Sequence, residues 1–272
     1  MDREPFALQQ QLWLKLVRWE RVMAGITTRN GGKSDPPYDH MNLGFHVQDD
    51  PDAVLANRER AAQAIGVPLH RWVCAEQVHG ADIEKVTTED AGRGAKRPAN
   101  SVPAVDGLYT RDGDVLLVLG YADCVPLYFS APRHGLVGIA HAGWRGTAAN
   151  IAGHMVDRWV KEEGVPVDNI FAAVGPSIGG CCYEVDDRVI EAVDAALGPK
   201  AGKPYRQTNG NRYLLDLKEC NRKLFLQAGI SENHIECSCY CTSCRTDLFY
   251  SHRKENGRTG RMSGFIGMCG RQ

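Results

Sequence analysis

The stretch Val115–Thr147, VLLVLGYADCVPLYFSAPRHGLVGIAHAGWRGT, limits the fold more than any other part of the chain. It holds two wholly apolar runs, Val115–Leu119 and Leu136–Ala140, each bounded by glycine or proline. Runs this short, closed by turn residues, read as buried strands. The first breaks at Gly120 and delivers Asp123 and Cys124. The second follows the turn 131–135, delivers His141 and runs into Gly143-Trp144-Arg145-Gly146. Residues just past buried strand ends are where sheet proteins place their sites. A thiol and an imidazole at two such ends therefore read as a site.

A third member lies upstream in Trp72-Val73-Cys74-Ala75-Glu76-Gln77-Val78-His79-Gly80, where a strand-like stretch carries His79 into a glycine. His79, Cys124 and His141 make a borderline-soft N/S set that suits zinc, and three protein ligands leave a fourth position for water or substrate. Copper would bind the same set more tightly than zinc. Taken alone, Cys124 reads first as a small buried hydrophobe, and a histidine before a glycine as a satisfied polar residue or a turn residue.

Strands alternate with helices along the rest of the chain. Residues 49–65 read as a helix with Asp50 as cap, Pro51 at its first position and Gly66 as stop. Further helices are expected over Gly146–Val160, Asp186–Leu197 and Tyr213–Ala228, and strands over Ile170–Val174 and Phe265–Met268. Gly25–Leu43, with Asn30-Gly31-Gly32 and Asp35-Pro36-Pro37, reads as a long loop. The expected fold is α/β (α+β), a three-layer sandwich with a mixed sheet flanked by helices. No linker-like stretch interrupts it, so residues 1–272 are expected to form one domain. The start of the 146–160 helix would sit beside His141, where free N–H groups and Arg145 suit an anion.

Thirty-two basic residues stand against 33 acidic ones, so nothing global favours nucleic acid or an anionic membrane. Residues 1–20 mix Asp2, Arg3, Glu4, Lys15, Arg18 and Glu20 among apolar residues, unlike a signal peptide. No apolar stretch is long enough to span a bilayer. A cytoplasmic protein with reduced thiols is expected, as a monomer or small homo-oligomer, and its ten cysteines are then not a disulfide framework. The densest group, Cys237, Cys239, Cys241 and Cys244, allows two readings: a second, structural zinc, or a plain strand over Ile235–Cys241, which its alternation favours. His234-Ile235-Glu236 before that CxxC echoes the zinc deaminase signature, but Glu236 and Cys241 are too close in sequence to stand on successive helices.

The wording QVHG (77–80), ADCVP (122–126), HAGWRGT (141–147), GPSIGGCCYEV (175–185) and FYSHRKENGRTGRM (249–262), with the opening stretch 25–58, resembles the multicopper polyphenol oxidase, laccase-like family, also called the peptidoglycan-editing factor family. The matches run in order over nearly the whole chain. None of its nine histidines forms the HxH pairs that laccases proper use. The resemblance implies one catalytic metal on His79, Cys124 and His141. It also implies a purine nucleoside phosphorylase that takes adenosine, inosine, guanosine and methylthioadenosine with phosphate, with adenosine deaminase activity besides. Asn42, Gln77, Asp123, Arg145 and Arg253 fall in matched motifs and are the expected substrate contacts. Two other activities stay open: a Cys124-dependent amidase acting on a cell-wall precursor, and a copper-dependent polyphenol oxidase.

Overall fold

The structure, a computed structural model, describes residues 4–19 and 21–268. Asp2, Arg3 and Glu20, part of the charge pattern that argues against a signal segment, lie outside them. The chain begins with β1 (Phe6–Gln9), β2 (Trp13–Leu16) and β3 (Val22–Thr27), followed by α1 (Pro51–Ile65), β4 (Trp72–Cys74) and β5 (Ile83–Lys85). Next come β6 (Gly107–Thr110), β7 (Leu116–Tyr121), β8 (Val125–Ala131), β9 (Leu136–Ala142), α2 (Trp144–Ala148) and α3 (Ile151–Lys161). The last part holds β10 (Phe171–Val174), β11 (Glu184–Asp186), α4 (Asp187–Leu197), β12 (Tyr205–Gln207), β13 (Arg212–Leu215), α5 (Leu217–Gln227), β14 (Ile235–Cys237) and β15 (Met262–Met268).

The α/β class holds, but there are two large mixed sheets rather than one. The first has the order β1-β2-β3-β15-β7-β4 and the second β14-β10-β8-β9-β6-β5, with a small third sheet, β11-β13-β12. Side-chain alternation explains the stacking, because successive strand residues point to opposite faces. In β8, Tyr128 joins Leu14, Ile26, Leu117 and Ile266 in a core between the two large sheets. Its neighbours Leu127 and Phe129 face the other way, onto Met155, Trp159, Leu224 and Phe225 of α3 and α5. On the far side of the first sheet, Val118 and Phe265 pack on Ala61, Ala62 and Ile65 of α1. The order of layers is helix, sheet, sheet, helices.

Several expectations move. Val125–Ala131 is a full strand, so Cys124 stands immediately before β8 as well as after the first run, and His141 lies within β9 rather than past it. The 146–160 helix is two helices, α2 beginning at Trp144 and α3 after Asn150, whose left-handed backbone breaks the path while its side chain caps Gly153 N–H. Residues 212–215 form a strand, and α5 starts only after Asp216, which accepts from the N–H groups of Lys218 and Glu219. β3 continues through Gly25, where a side chain would run into the Leu14 carbonyl, to Thr27, held by its pairing with β2 and β15; the loop begins later than the turn residues suggest. The closing strand starts at Met262, not Phe265. Residues 49–66 behave as read, with Asp50 capping α1 and Gly66 closing it in the left-handed region. Among the described residues no helix is long and apolar enough to cross a membrane.

Four segments cross from one large sheet to the other: 75–82 between β4 and β5, 111–115 between β6 and β7, 122–124 between β7 and β8, and 238–261 between β14 and β15. Gln77 and His79, Asp123 and Cys124, and Arg253 sit on the first, third and fourth of these crossovers, while His141 belongs to β9 and Arg145 to α2.

Candidate active site

His79 lies on the first crossover and Cys124 on the one between β7 and β8, while His141 projects from β9 beside them. Their ligand atoms all lie within 4.8 Å of one another. The two imidazoles meet edge to face with centroids 4.8 Å apart. Gly143 keeps the site uncrowded, since a Cβ there would stand 3.0 Å from Cys124 Sγ and 3.5 Å from the His79 ring.

Asp106 holds this arrangement together, and sequence reasoning missed it. It is fully buried just ahead of β6, and its carboxylate accepts from Val78 N–H (3.1 Å), His79 N–H (3.1 Å) and Gly80 N–H (2.6 Å). These three bonds steady His79 in a left-handed backbone (φ 60°) that non-glycine residues seldom adopt. The same carboxylate lies 2.8 Å from His141 Nδ1, which leaves Nε2 to face the thiol. Burial opposes ionisation of Asp106, but the His141 bond and charge and the loop N–H groups outweigh it and hold the carboxyl below its usual range. Nothing local in Val105-Asp106-Gly107 signals this role; it depends on β6 lying beside β9.

Cys124 and His141 form a coupled pair. Burial raises the thiol, but the His141 charge and bonds from His141 and His79 pull it down to about 6. His141 is pushed up to about 9, burial being outweighed by the Cys124 thiolate and by Asp106. Both shifts run in the direction that favours a thiolate beside an imidazolium.

Asp123 does for the tail what Asp106 does for the first crossover. Itself left-handed (φ 80°), it accepts from Thr242 Oγ1 (2.6 Å), Ser251 Oγ (3.0 Å) and Arg253 N–H (2.7 Å). Gln77 lies on the cavity wall, but both ends of its amide are spent on Gly120, whose N–H it accepts at 2.7 Å and whose carbonyl it bonds at 2.9 Å. Asn42 is not brought to the cavity. It is fully buried, donates to Asp49 Oδ2 (2.7 Å) and accepts from Gly44 and Arg261 N–H, so it braces the long loop instead.

The triad opens onto a cavity of about 920 Å³. Arg145 and Arg253 line it, and Arg58 and Arg261 join them, against the carboxylates of Glu76 and Asp123. His46 also lines it; burial, then Arg261 and Arg58, lower its imidazole to about 4, so it is neutral. Phe45, Trp144 and Tyr183 supply flat apolar walls, each with a guanidinium stacked on it.

Residues 23–269 match the family described as multi-copper polyphenol oxidoreductase laccase. A protein of Geobacillus stearothermophilus called purine nucleoside phosphorylase YlmD is 54% identical over 246 residues, 90% of each chain. Its namesake in Bacillus subtilis is 44% identical over 271 residues, 97% of each chain. The crystal structure of YlmD from Geobacillus stearothermophilus superposes with a TM-score of 0.97 at 50% identity, covering 98% of this chain and 100% of that one. A Neisseria meningitidis protein superposes with a TM-score of 0.80 at 29% identity, covering 98% and 100%.

Proposed function

The chain belongs to the multi-copper polyphenol oxidoreductase laccase family, and from that premise we propose that it is a metal-dependent purine nucleoside phosphorylase. Adenosine, inosine, guanosine and methylthioadenosine are split by phosphate into free base and the sugar 1-phosphate. Adenosine is also deaminated to inosine and ammonia, with water taking the place of phosphate as nucleophile. The whole chain works as one catalytic domain.

One observation carries this reading: the His79–Cys124–His141 donor set opens onto a cavity holding four guanidinium groups and two carboxylates, one of which, Asp123, already accepts three bonds. Phosphate is an anion that such a surplus of guanidinium attracts and orients. The donor set fits zinc, with copper as the alternative occupant: two imidazoles and a thiol are in reach of one centre, and Asp106 fixes the His141 tautomer in the manner of metal-binding histidines. When bound, the metal supplies Lewis-acid activation of an oxygen at its open position. Arg145 and Arg253 orient the phosphate oxygens, Phe45, Trp144 and Tyr183 pack on the flat base, and Gly143 leaves room beside Cys124.

The test is to incubate the zinc-checked protein with adenosine, with and without phosphate, and separate the products. Adenine formed only with phosphate supports the phosphorylase, and inosine in both mixtures supports the deaminase. Intact adenosine in both overturns the reading.

A specific observation favours a second reading. Cys124, His141 and Asp106 stand in nucleophile, base and orienting positions, which suits thiolate attack on an amide carbonyl. Zinc-loaded protein separates the two. A ligand thiolate is shielded from iodoacetamide, whereas rapid alkylation of Cys124 with zinc present favours the amidase.

A further inference from the structure

We infer that Cys181, Cys182, Cys241 and Cys244 form a second metal site, one that takes a zinc ion on four thiolates. Their sulfur atoms all lie within 4.8 Å of one another. Cys244 Sγ is 3.4 Å from Cys182 Sγ and 3.6 Å from Cys181 Sγ. A tetrahedral zinc with sulfur ligands at about 2.3 Å spaces those sulfurs about 3.8 Å apart. The cluster therefore needs only small adjustments to close on an ion. A disulfide needs far more, because its sulfurs stand about 2 Å apart, and one bridge would leave two thiols over.

The four come from two segments that the fold brings side by side. Ser177 and Cys241 form an isolated parallel bridge, and Thr242 N–H donates to the Ser177 carbonyl at 3.0 Å. Gly179 N–H points at Cys241 Sγ from 3.2 Å, a bond that stabilises a thiolate and orients it. A side chain at Gly179 would crowd Cys181 Sγ at 3.3 Å. The first two cysteines of the sequence cluster are excluded by position: Cys237 lies on edge strand β14, and Cys239 Sγ is turned to Glu4 Oε2 at 3.0 Å. The CxxC thus finds its partners in Cys181 and Cys182, not in its neighbours.

Four thiolates with no imidazole or carboxylate select a soft or borderline ion, and a closed set of four is structural rather than catalytic. Its place in the fold gives the role. Tyr183, next to Cys182, is a wall of the cavity, and Thr242, between the two CxxC ligands, donates to Asp123 beside Cys124. The ion clamps two loops that shape the outer rim of the active cavity.

The test is zinc stoichiometry by elemental mass spectrometry on the full chain. Cys124→Ala, which breaks the triad, is expected to keep one zinc per chain; adding Cys244→Ser removes it. In the parent background, Cys244→Ser lowers the zinc content by one, and Cys237→Ser with Cys239→Ser leaves it unchanged. Cobalt in Cys124→Ala gives the intense charge-transfer absorption of a tetrathiolate centre. A folded Cys124→Ala protein without zinc, an unchanged zinc content in Cys244→Ser, or an intact mass revealing a Cys182–Cys244 disulfide overturns the inference. None of these readouts depends on adenosine cleavage, so the phosphorylase reading can fail while this one stands.

Discussion

Replacing Asp106 by Asn tests the account at its least exposed point. Each carboxylate oxygen serves two partners: Oδ2 accepts from Val78 and Gly80 N–H, and Oδ1 from His79 N–H while meeting His141 Nδ1. An amide has only one oxygen. If that oxygen faces Val78 and Gly80, the NH2 group confronts His79 N–H and turns His141 Nδ1 into an acceptor. The His141 proton then moves to Nε2, the atom that faces the metal. If the amide is flipped, the first crossover loses its two anchors instead. Either way two buried charge-assisted bonds are lost, at about 1.5–3 kcal/mol each, so the variant is destabilised by about 3 kcal/mol or more. Zinc affinity falls by about 10–100-fold, as expected for loss of a residue that orients a ligand. Competition against a chromophoric chelator measures the affinity, and denaturant unfolding the stability. A folded Asp106→Asn protein with unchanged zinc affinity and unchanged turnover would refute the reasoning.

Three other outcomes are expected. Gly143→Ala puts a methyl group 3.0 Å from Cys124 Sγ, so chelator competition should register weaker zinc binding while the thermal midpoint moves little. Arg145→Ala removes a guanidinium that has no ion-pair partner among the described residues; steady-state kinetics should give a phosphate KM raised by about tenfold with zinc content intact. Glu163, half-buried beneath Lys85 (2.7 Å) and Arg111 (2.8 Å), has a folded carboxyl below its usual range, burial being outweighed by those two bonds. A depressed folded value stabilises the protein above the unfolded carboxylate range and loses that contribution as the pH falls through the folded value. The stability gap between the parent and Glu163→Gln should therefore be full at neutral pH and shrink in acid; a gap that widens in acid contradicts the assignment.

Local signals were enough where the chain is locally determined. Asp50, Pro51 and Gly66 bound α1 as their chemistry requires. β8 was hidden because Pro126 lies inside Val125–Ala131 and proline counts against a strand; here it sits at the second residue, where Gly175 N–H bonds its carbonyl. Tyr213, Leu214 and Leu215 extend the apolar face of α5 backwards in the sequence, yet they belong to β13, and the stop lies in Asp216. His79, Cys124 and His141 were legible because each stands at a break in an apolar run. Asp106 was not, because a lone carboxylate before a glycine has no local mark and acquires its role only from the pairing of β6 with β9. The cysteine quartet failed for the same reason: only the Ser177–Cys241 bridge brings Cys181 and Cys182 to the CxxC.

The central claim is that a metal on His79, Cys124 and His141 supports phosphorolysis of a purine nucleoside. The most direct measurement is ribose 1-phosphate release from inosine by the protein as purified, after chelator stripping, and after zinc is returned, with Cys124→Ala alongside. The account predicts activity that disappears on stripping, returns with zinc and never appears in Cys124→Ala. Full turnover by the stripped protein, or by Cys124→Ala, would contradict it.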